Sequence, residues 1–393
     1  MPRAALILDG GSGPALAFTR SLGKAGWRVV APAGTRSAAS RYAGDATQIR
    51  EADADPRGFV ADVAGVCSRG GIDVVVPCTD ASVELLWAHQ GVLGGARVVG
   101  ADRASAERVL DKAAALAASD EAGFPTPRWE APATRIEASR AITRIGFPCV
   151  LKPRRSYAAL GGRLVHLRHR VVRRADDAER ALSDLAELAE APPVVEEFVP
   201  GRALAVTAVV RRGEVVTYVA RETLTFEPIA GGTSVWKRTI APDDVGVQAA
   251  LDLLRAIGYD GLAEVEYQAD GANVPRLMEI GVRAHGWVAL AVAAGVDLPL
   301  VAANALVGDP LPELEHYRVG VEMRWPAGEV ARLRTAMSPK ASLPPGTRRR
   351  DVLAGTWPPW RPGMRYDGVV RDDLAPLLPR RLRRSGTKRR ASQ

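Results

Sequence analysis

Residues 261–286, GLAEVEYQADGANVPRLMEIGVRAHG, contain two apolar segments with acidic residues, joined by a polar turn. The dipeptide Asp270-Gly271 is a strong turn signal, so this stretch predicts two strands that fold back on each other. Because side chains alternate faces along a strand, the fold-back brings Glu266 and Glu279 together on one face. Two carboxylates this close repel unless a cation lies between them, and such hard oxygen ligands suit Mg²⁺ with nucleotide phosphates. The alternative is a hairpin whose glutamates face water.

The composition is that of an ordinary globular protein, with 47% hydrophobic and 25% charged residues. The length of 393 residues predicts two or three lobes rather than one core. No apolar run approaches the roughly 20 residues needed to cross a bilayer, and the first strand has no cationic leader before it. Cys67, Cys78 and Cys149 lie far apart without metal spacing. We therefore expect a cytoplasmic protein in a reducing compartment, without disulfides or a membrane span.

Much of the net charge of +8 comes from the tail, where residues 380–390 read RRLRRSGTKRR. Such a block predicts a disordered, solvated end, with contact to anionic membrane or nucleic acid as the alternative. We do not expect nucleic acid as the main partner. Lysine is rare and occurs only at positions 24, 112, 152, 237, 340 and 388. Since lysine offers phosphate a compact point charge, a lysine retained in a patterned place indicates a phosphate contact.

The first hundred residues predict a doubly wound α/β unit. Residues 4–9 form an apolar strand, residues 10–13 a glycine-rich turn before a helix, and residues 28–32 a second strand. The turn lacks the G-x-G-x-x-G spacing, so we favour a role other than dinucleotide binding. Residues 72–77 predict a further parallel strand that ends at Thr79 and Asp80. These two residues are candidates for substrate contact or, equally, for capping the next helix.

A second unit follows, and its first strand, residues 149–153, ends in Lys152. A lysine at the end of an apolar strand must find an anion or extend to solvent. The next stretch, residues 154–163, contains two glycines and predicts either a mobile loop over phosphates or a plain hairpin connection. Residues 194–199 predict a strand that runs into Pro200-Gly201, where bare backbone groups can meet a flat heterocycle.

Taken in order, these segments resemble the ATP-grasp superfamily over about residues 1–310. The resemblance is nearest to the carboxylate–amine ligase branch, which includes proteins similar to the synthetase half-domains of carbamoyl phosphate synthase. It rests on the ordered set Asp111-Lys112, Gly146-Phe147-Pro148 with Lys152-Pro153, Glu196-Glu197-Phe198-Val199 with Gly201, Gly231-Gly232-Thr233-Ser234, and Glu266 with Glu279 and Arg283.

The resemblance implies a role for each charged member of this set. Lys112 and Lys152 match the two lysines that contact the nucleotide phosphates. Glu266 and Glu279 match the carboxylates that hold Mg²⁺, or Mn²⁺, between the β- and γ-phosphates. Arg283 matches the arginine that steadies the transferred phosphoryl group, so Arg283 and Lys152 are the implied catalytic residues.

The resemblance also implies a nucleotide hinge and a reaction. Glu196, Glu197, Phe198 and Val199 match the hinge whose backbone carbonyl and amide bind adenine. In such enzymes ATP activates a small carboxylate as an acylphosphate, and an amine or similar nucleophile then displaces phosphate. Phosphoryl transfer asks mainly for positioning and charge neutralisation, which agrees with this set of residue types. The implied partners are a small carboxylate and an amine, and homodimers are common in the family.

The same resemblance predicts three regions. Residues 1–105 match a Rossmann-like pre-ATP-grasp domain, and residues 106–310 match a two-lobed ATP-grasp fold with its lobes at 106–190 and 191–310. Residues 311–393 are expected to form a C-terminal extension that ends in the basic tail. The predicted fold class is therefore α/β followed by α+β.

One departure from the family pattern bears on activity. The family usually reads Glu-Ile-Asn-Pro-Arg where this chain has Gly281 in the third place. The asparagine would lend an oxygen to a second metal ion, and a water can fill that gap because Mg²⁺ readily keeps several waters. Two hypotheses follow from this. The first is an active ATP-dependent ligase, favoured by the retained lysines, glutamates and arginine. The second, favoured by Gly281, is a degenerate or regulatory protein that binds nucleotide without full ligase activity.

Overall fold

The computed structural model describes residues 2–186, 191–229, 231–314, 316–338, 343, 347–356 and 362–379. These residues form three principal sheets and one additional hairpin. The predicted basic tail, which begins at about residue 380, lies outside the described residues.

The first sheet is parallel, with strand order β3-β2-β1-β4-β5. Its strands are β1 Ala4–Ile7, β2 Arg28–Pro32, β3 Asp45–Thr47, β4 Val74–Val76 and β5 Arg97–Val98, and its helices are α1 Gly13–Lys24, α2 Pro56–Ser68 and α3 Asp80–Ala88. The apolar runs are buried on both faces because helices cover the sheet. The strand order reverses between β1 and β4, so the turns that follow these two strands open a crevice where such sheets bind ligands.

The second sheet is antiparallel, with strand order β10-β7-β11-β6, and lies beside the short hairpin β8–β9. The strands are β6 Trp129–Glu130, β7 Cys149–Lys152, β8 Tyr157–Leu160, β9 Arg163–His166, β10 Arg170–Val172 and β11 Val194–Glu197, and the helices are α4 Arg103–Val109, α5 Lys112–Glu121, α6 Arg135–Ile145 and α7 Ala175–Ala186. This sheet includes β11, which lies beyond the predicted lobe boundary at residue 190. The boundaries of the predicted regions stay predictions.

The hairpin β8–β9 occupies the stretch for which the sequence left a mobile loop or a hairpin open. It packs against the N-terminal α/β unit, where the Leu164 amide donates to Asp53 O at 2.8 Å and Arg155 lies 3.4 Å from Glu84. Tyr157 and Leu164 pack against the apolar core around β1, α2 and α3. The hairpin therefore joins the second sheet to the first.

The third sheet is the largest, with strand order β16-β15-β12-β13-β14-β17-β18. Its strands are β12 Arg202–Arg211, β13 Glu214–Glu227, β14 Thr233–Thr239, β15 Gly261–Ala269, β16 Pro275–Gly281, β17 Glu322–Arg324 and β18 Arg365–Tyr366, and the helices of this part of the chain are α8 Val247–Ala256, α9 Val288–Ala294, α10 Leu298–Val307, α11 Pro326–Met337 and α12 Arg349–Thr356. All its pairings are antiparallel except that of β17 with β18. The predicted fold class, a parallel α/β sheet followed by antiparallel lobes, is confirmed.

The C-terminal segment contacts the N-terminal α/β unit through one buried carboxylate. Asp373 Oδ2 accepts from Arg20 Nε at 2.8 Å and from Ser40 Oγ at 2.7 Å, and Asp373 Oδ1 accepts from the Arg41 amide at 2.9 Å. The side chains of Arg20 and Asp373 are 9% and 1% exposed. Residues at the two ends of the described chain thus share one buried ion pair.

Among the described residues, no single helix is long and apolar enough to cross a membrane. Two short helices, α9 and α10, meet the length and composition criteria only when taken together, and they are bent by 101° at the break between them.

Candidate functional site

The hairpin β15–β16 places its two glutamates directly opposite each other, as the sequence predicted. Glu266 pairs with Glu279 in the strand register, and Glu264 pairs with Gly281. The Glu266 and Glu279 side chains keep 42% and 45% of their surface exposed. Each binds a cationic neighbour through Oε1. The pair is therefore exposed enough for a cation to reach it from solvent.

A buried arginine lies behind this carboxylate pair. Arg221, on β13, donates through Nη2 to Glu264 Oε1 and to Glu266 Oε1, both at 2.8 Å, and its guanidinium lies 5.0 Å from the Trp287 ring. Burial and the nearby Glu264 carboxylate raise the pKa of Glu266, against the opposing effect of Arg221. A divalent cation beside Glu266 would relieve the same repulsion.

Lys112 approaches the pair from the second sheet. It stands at the start of α5, whose N-cap Asp111 is held by Arg154 at 2.8 Å. Lys112 Nζ lies 3.8 Å from Glu279 Oε1 and donates to Ser156 Oγ at 3.3 Å. The lysine thus spans the gap between α5 and β16.

Lys152 reaches the same strand from the end of β7. Its ammonium group lies 2.7 Å from Glu196 Oε2 and donates to Met278 O at 2.9 Å. Burial raises the pKa of Glu196, although Lys152 acts to lower it. Glu196 Oε1 is buried and has no hydrogen-bond partner among the described residues. Lys152 therefore connects β7, β11 and β16 beside the carboxylate pair.

The rest of the predicted hinge lies at the end of β11. Glu197 binds Arg128 through both oxygens, at 2.9 Å to the amide and 2.7 Å to Nε. These bonds lower the pKa of Glu197, although burial acts to raise it. The Glu197 amide donates to Arg128 O and the Phe198 amide to Pro148 O. The backbone amides of Glu197 and Phe198 therefore already donate within the protein. Val199 is the next residue of the predicted hinge.

Arg283 lies at the crevice of the first sheet. Its Nε donates to Asp80 Oδ1 at 2.5 Å and its Nη1 donates to Cys78 O at 3.4 Å. Burial acts to lower the pKa of Arg283, but Asp80 outweighs it and the pKa is raised. Of the two candidates after β4, Asp80 thus orients Arg283. Thr79 caps α3 and donates to Asp9, which is half-buried.

A cavity of about 430 Å³ lies between the N-terminal α/β unit and the third sheet. Residues from eight places in the chain line it, among them Gly11, Thr233, Lys237, Arg283, His285 and Asp367. Lys237 is 2% exposed, donates to Gly286 O at 3.0 Å, and has its pKa lowered to about 8 by burial. The sequence offered one signal for Lys237, the rarity of lysine, but that signal gave it no role.

Gly281, the departure from the family pattern, lies against a histidine ring. That a water replaces the missing oxygen ligand stays a prediction. A Cβ atom at Gly281 would lie closer than 3.0 Å to His285 Cε1, a separation that real Cβ atoms essentially never show. The imidazole of His285 therefore fills the space that the family's asparagine would enter. His285 Nδ1 lies 2.6 Å from Glu264 Oε2, and Trp287 Nε1 also donates to Glu264. Burial acts to raise the pKa of Glu264, but His285 and Arg221 outweigh it and the pKa is lowered.

Comparisons with known proteins give a family match and a more distant relative. The family described as ATP-grasp in the biosynthetic pathway with Ter operon matches residues 190–328. The carbamoyl phosphate synthase large chain of Thermus thermophilus is 30% identical over 232 residues, which is 56% of this chain and 22% of that protein. The chain thus spans less than a quarter of that relative.

Two solved structures share the fold. A biotin carboxylase complex with β-γ-ATP from Campylobacter jejuni has a TM-score of 0.67 and 18% identity, covering 82% of this chain and 74% of that one. The biotin carboxylase domain dimer of the Hydrogenobacter thermophilus 2-oxoglutarate carboxylase, in complex with MgADP and bicarbonate, has a TM-score of 0.66 and 17% identity, covering 82% and 73%. With its parallel sheet, its antiparallel lobes and these matches, the chain belongs to the ATP-grasp superfamily.

Proposed function

We propose that this protein is an ATP-dependent ligase that activates a small carboxylate as an acylphosphate and joins it to an amine or a similar nucleophile. Enzymes of the superfamily activate carboxylates in this way. The specific substrates of this chain and the roles of its individual residues are part of the proposal.

One observation carries the proposal: two lysines from the second sheet converge on the carboxylate pair of the third. Lys112 lies 3.8 Å from Glu279, and Lys152 donates to the backbone of the residue before it. Cations and carboxylates on opposite walls of one cleft suit a triphosphate that brings its own metal ion. Phosphoryl transfer needs this arrangement more than it needs a reactive side chain.

In the proposed complex, each charged residue changes partner. Glu266 and Glu279 would hold Mg²⁺, which neutralises phosphate charge when bound. Lys112 and Lys152 would turn from their carboxylates to the phosphates. Arg283, held by Asp80 at the mouth of the cavity, would face the group that receives the phosphoryl. The crevice of the first sheet is where the carboxylate would bind, next to Arg283.

Adenine would bind along the hinge. Because the amides of Glu197 and Phe198 already donate within the protein, the proposal assigns the adenine contact to the Val199 amide and to the neighbouring carbonyls. Of the four hinge residues, only Val199 is thus proposed to donate a backbone hydrogen bond to adenine.

The second candidate, a protein that binds nucleotide without ligase activity, rested on Gly281. The packing of His285 supports a different account of that glycine, because the glycine makes room for an imidazole at the cavity wall. Phosphate release distinguishes this candidate from the ligase. A protein that only binds nucleotide should be stabilised by MgATP but should release no phosphate with any carboxylate.

Thermal unfolding with and without ATP and Mg²⁺ tests the nucleotide site. A ligand at a hundredfold excess over its Kd adds about 2.7 kcal/mol, which raises Tm by several degrees in a protein of this length. We expect this rise for the natural chain and its loss in Lys152→Ala. Lys24→Ala, which changes a lysine that is 49% exposed, is the matched control and should keep the rise. Absence of any rise in the natural chain would contradict the proposal.

A further inference from the structure

His285 is a buried histidine whose ring is fixed at one nitrogen. The residue is 4% exposed, and Nδ1 lies 2.6 Å from Glu264 Oε2. Glu264 in turn accepts from Trp287 Nε1 and from Arg221. An ionised carboxylate can only accept, so the hydrogen of this bond belongs to His285 Nδ1.

The other ring nitrogen is available. His285 Nε2 is buried and has no hydrogen-bond partner among the described residues, and His285 lines the cavity. With the hydrogen of a neutral imidazole on Nδ1, Nε2 is an acceptor. The cavity wall therefore carries an oriented proton acceptor with an unused lone pair.

The place of this acceptor fits the second half of the proposed reaction. His285 follows Arg283 by two residues, and both line the cavity, as does Glu266. The nucleotide side of the cleft, with Lys112 and Lys152, lies across the carboxylate pair. A proton acceptor on the cavity side can reach the incoming nucleophile without contacting the phosphates that the lysines would bind.

We propose that His285 is the general base that deprotonates the attacking amine, with Glu264 as the residue that positions its ring. This inference rests on the proposed ligase function. In the step, the amine nitrogen bonds to the acyl carbon and the bond from that carbon to the phosphate oxygen breaks. The phosphate leaves with the electron pair, and the proton of the nitrogen moves to His285 Nε2. The Glu264 carboxylate stabilises the imidazolium that results.

The charged groups around His285 come from every packed element, and one of them is a competitor. They are Glu264 and Glu266 on β15, Arg221 on β13, Lys237 on β14, Arg283 after β16, Asp80 on α3, and Arg36 and Asp367, which line the same cavity. Lys237 is also buried at the cavity. Its ammonium donates to Gly286 O and would need to lose a proton before it could act as a base.

A nucleophile that needs no base separates the two half-reactions. Hydroxylamine is unprotonated at neutral pH and traps an acylphosphate as a hydroxamate. The natural chain, with ATP, Mg²⁺ and each standard amino acid as the carboxylate, should form hydroxamate with at least one of them. His285→Asn keeps a donor for Glu264 but lacks the base. It should keep hydroxamate formation within about threefold and lose at least about 100-fold in joining the same acid to a second amino acid.

The pH profile separates His285 from Lys237. The amine-joining rate of the natural chain should rise with pH and level off, and His285→Asn should lose that rise, whereas Lys237→Met should keep it. Loss of the rise in Lys237→Met alone would overturn the proposal. So would an equal loss of hydroxamate and of amine joining in His285→Asn.

A readout that needs no substrate covers the remaining case. The ¹⁵N NMR spectrum of the histidine-labelled protein reports which ring nitrogen of each histidine carries hydrogen. The chain has five histidines, and the signals that disappear in His285→Asn are those of His285. At pH 8 we expect the hydrogen on Nδ1 and none on Nε2. A hydrogen on Nε2 at this pH would overturn the inference even if no hydroxamate forms. Absence of hydroxamate with the expected tautomer would instead count against the proposed ligase function.

Discussion

The two sides of the cleft use charge in different ways. On the side where nucleotide binding is proposed, called the nucleotide side below, Lys112 and Glu279 are 17% and 45% exposed and lie 3.8 Å apart. On the cavity side, Arg221 and Glu264 are 5% and 6% exposed and are joined at 2.8 Å. The first pair links helix α5 to the third sheet and loses little if it separates, whereas the second lies within the third sheet and cannot separate without leaving a buried charge alone. We infer that the nucleotide side is built to exchange partners and the cavity side to stay fixed.

Removing the carboxylate on the fixed side gives the largest expected effect. Glu264→Ala leaves Arg221, His285 and Trp287 without their shared acceptor, so we expect a loss of about 3–5 kcal/mol in the free energy of unfolding. Urea denaturation measures it. Glu279→Ala, on the exchangeable side, should change the same quantity by less than about 1 kcal/mol. Equal losses in the two variants would remove the distinction between the sides.

The buried lysine of the fixed side should give stability a pH dependence. Burial lowers the pKa of Lys237 to about 8 from the ordinary value of 10.5. Between these two pH values, Lys237 binds fewer protons in the folded protein than in the unfolded chain. Stability should therefore rise with pH across this window, relative to Lys237→Met, by up to about 3 kcal/mol. Denaturation of both proteins at several pH values measures this difference. Parallel curves would contradict the burial of a charged lysine.

Filling the space beside Gly281 tests the packing of the imidazole. Gly281→Asn forces the new side chain against His285, and we expect a loss of about 1–3 kcal/mol in unfolding free energy. In a His285→Ala background the same change should cost less, because the space is then free. A double-mutant cycle by urea denaturation measures the coupling. If the losses from Gly281→Asn and His285→Ala were additive, the His285 ring would not occupy the space beside Gly281.

The smallest effect on stability belongs to the exchangeable side. Lys112→Ala should change the unfolding free energy of the ligand-free protein by less than about 1 kcal/mol, since its partner Glu279 is half exposed. The same variant should lose most of the rise in Tm that MgATP produces. A large loss of stability without ligand would show that this pair is structural.

The sequence predicted the exchangeable side better than the fixed side, for a physical reason. Turn chemistry and strand alternation were enough to place Glu266 opposite Glu279, and the register confirms it. Lys112 and Lys152 stood out because lysine is rare in this chain. These signals are local, or they depend on a residue type that the chain uses sparingly.

Arg221 had no such signal. It is one of many arginines, and only the pairing of β12 with both β13 and β15 brings it to Glu264, 43 residues away. The partnership of Lys152 with Glu196 likewise depends on how β7 and β11 align. The sequence identified Gly281 as a departure from the family pattern. The His285 ring beside it belongs to the turn that follows β16, and the sequence did not predict the path of that turn.

The buried ion pair between Arg20 and Asp373 has a consequence for synthesis of the chain. The two residues are 353 positions apart, and Ser40 and Arg41 bind the same carboxylate. At a ribosomal rate of about 5–20 residues per second, Asp373 is made roughly 20 to 70 s after Arg20. During that time the helix that carries Arg20 has no partner for its guanidinium. The N-terminal α/β unit is thus translated first but is among the last parts of the chain to be completed.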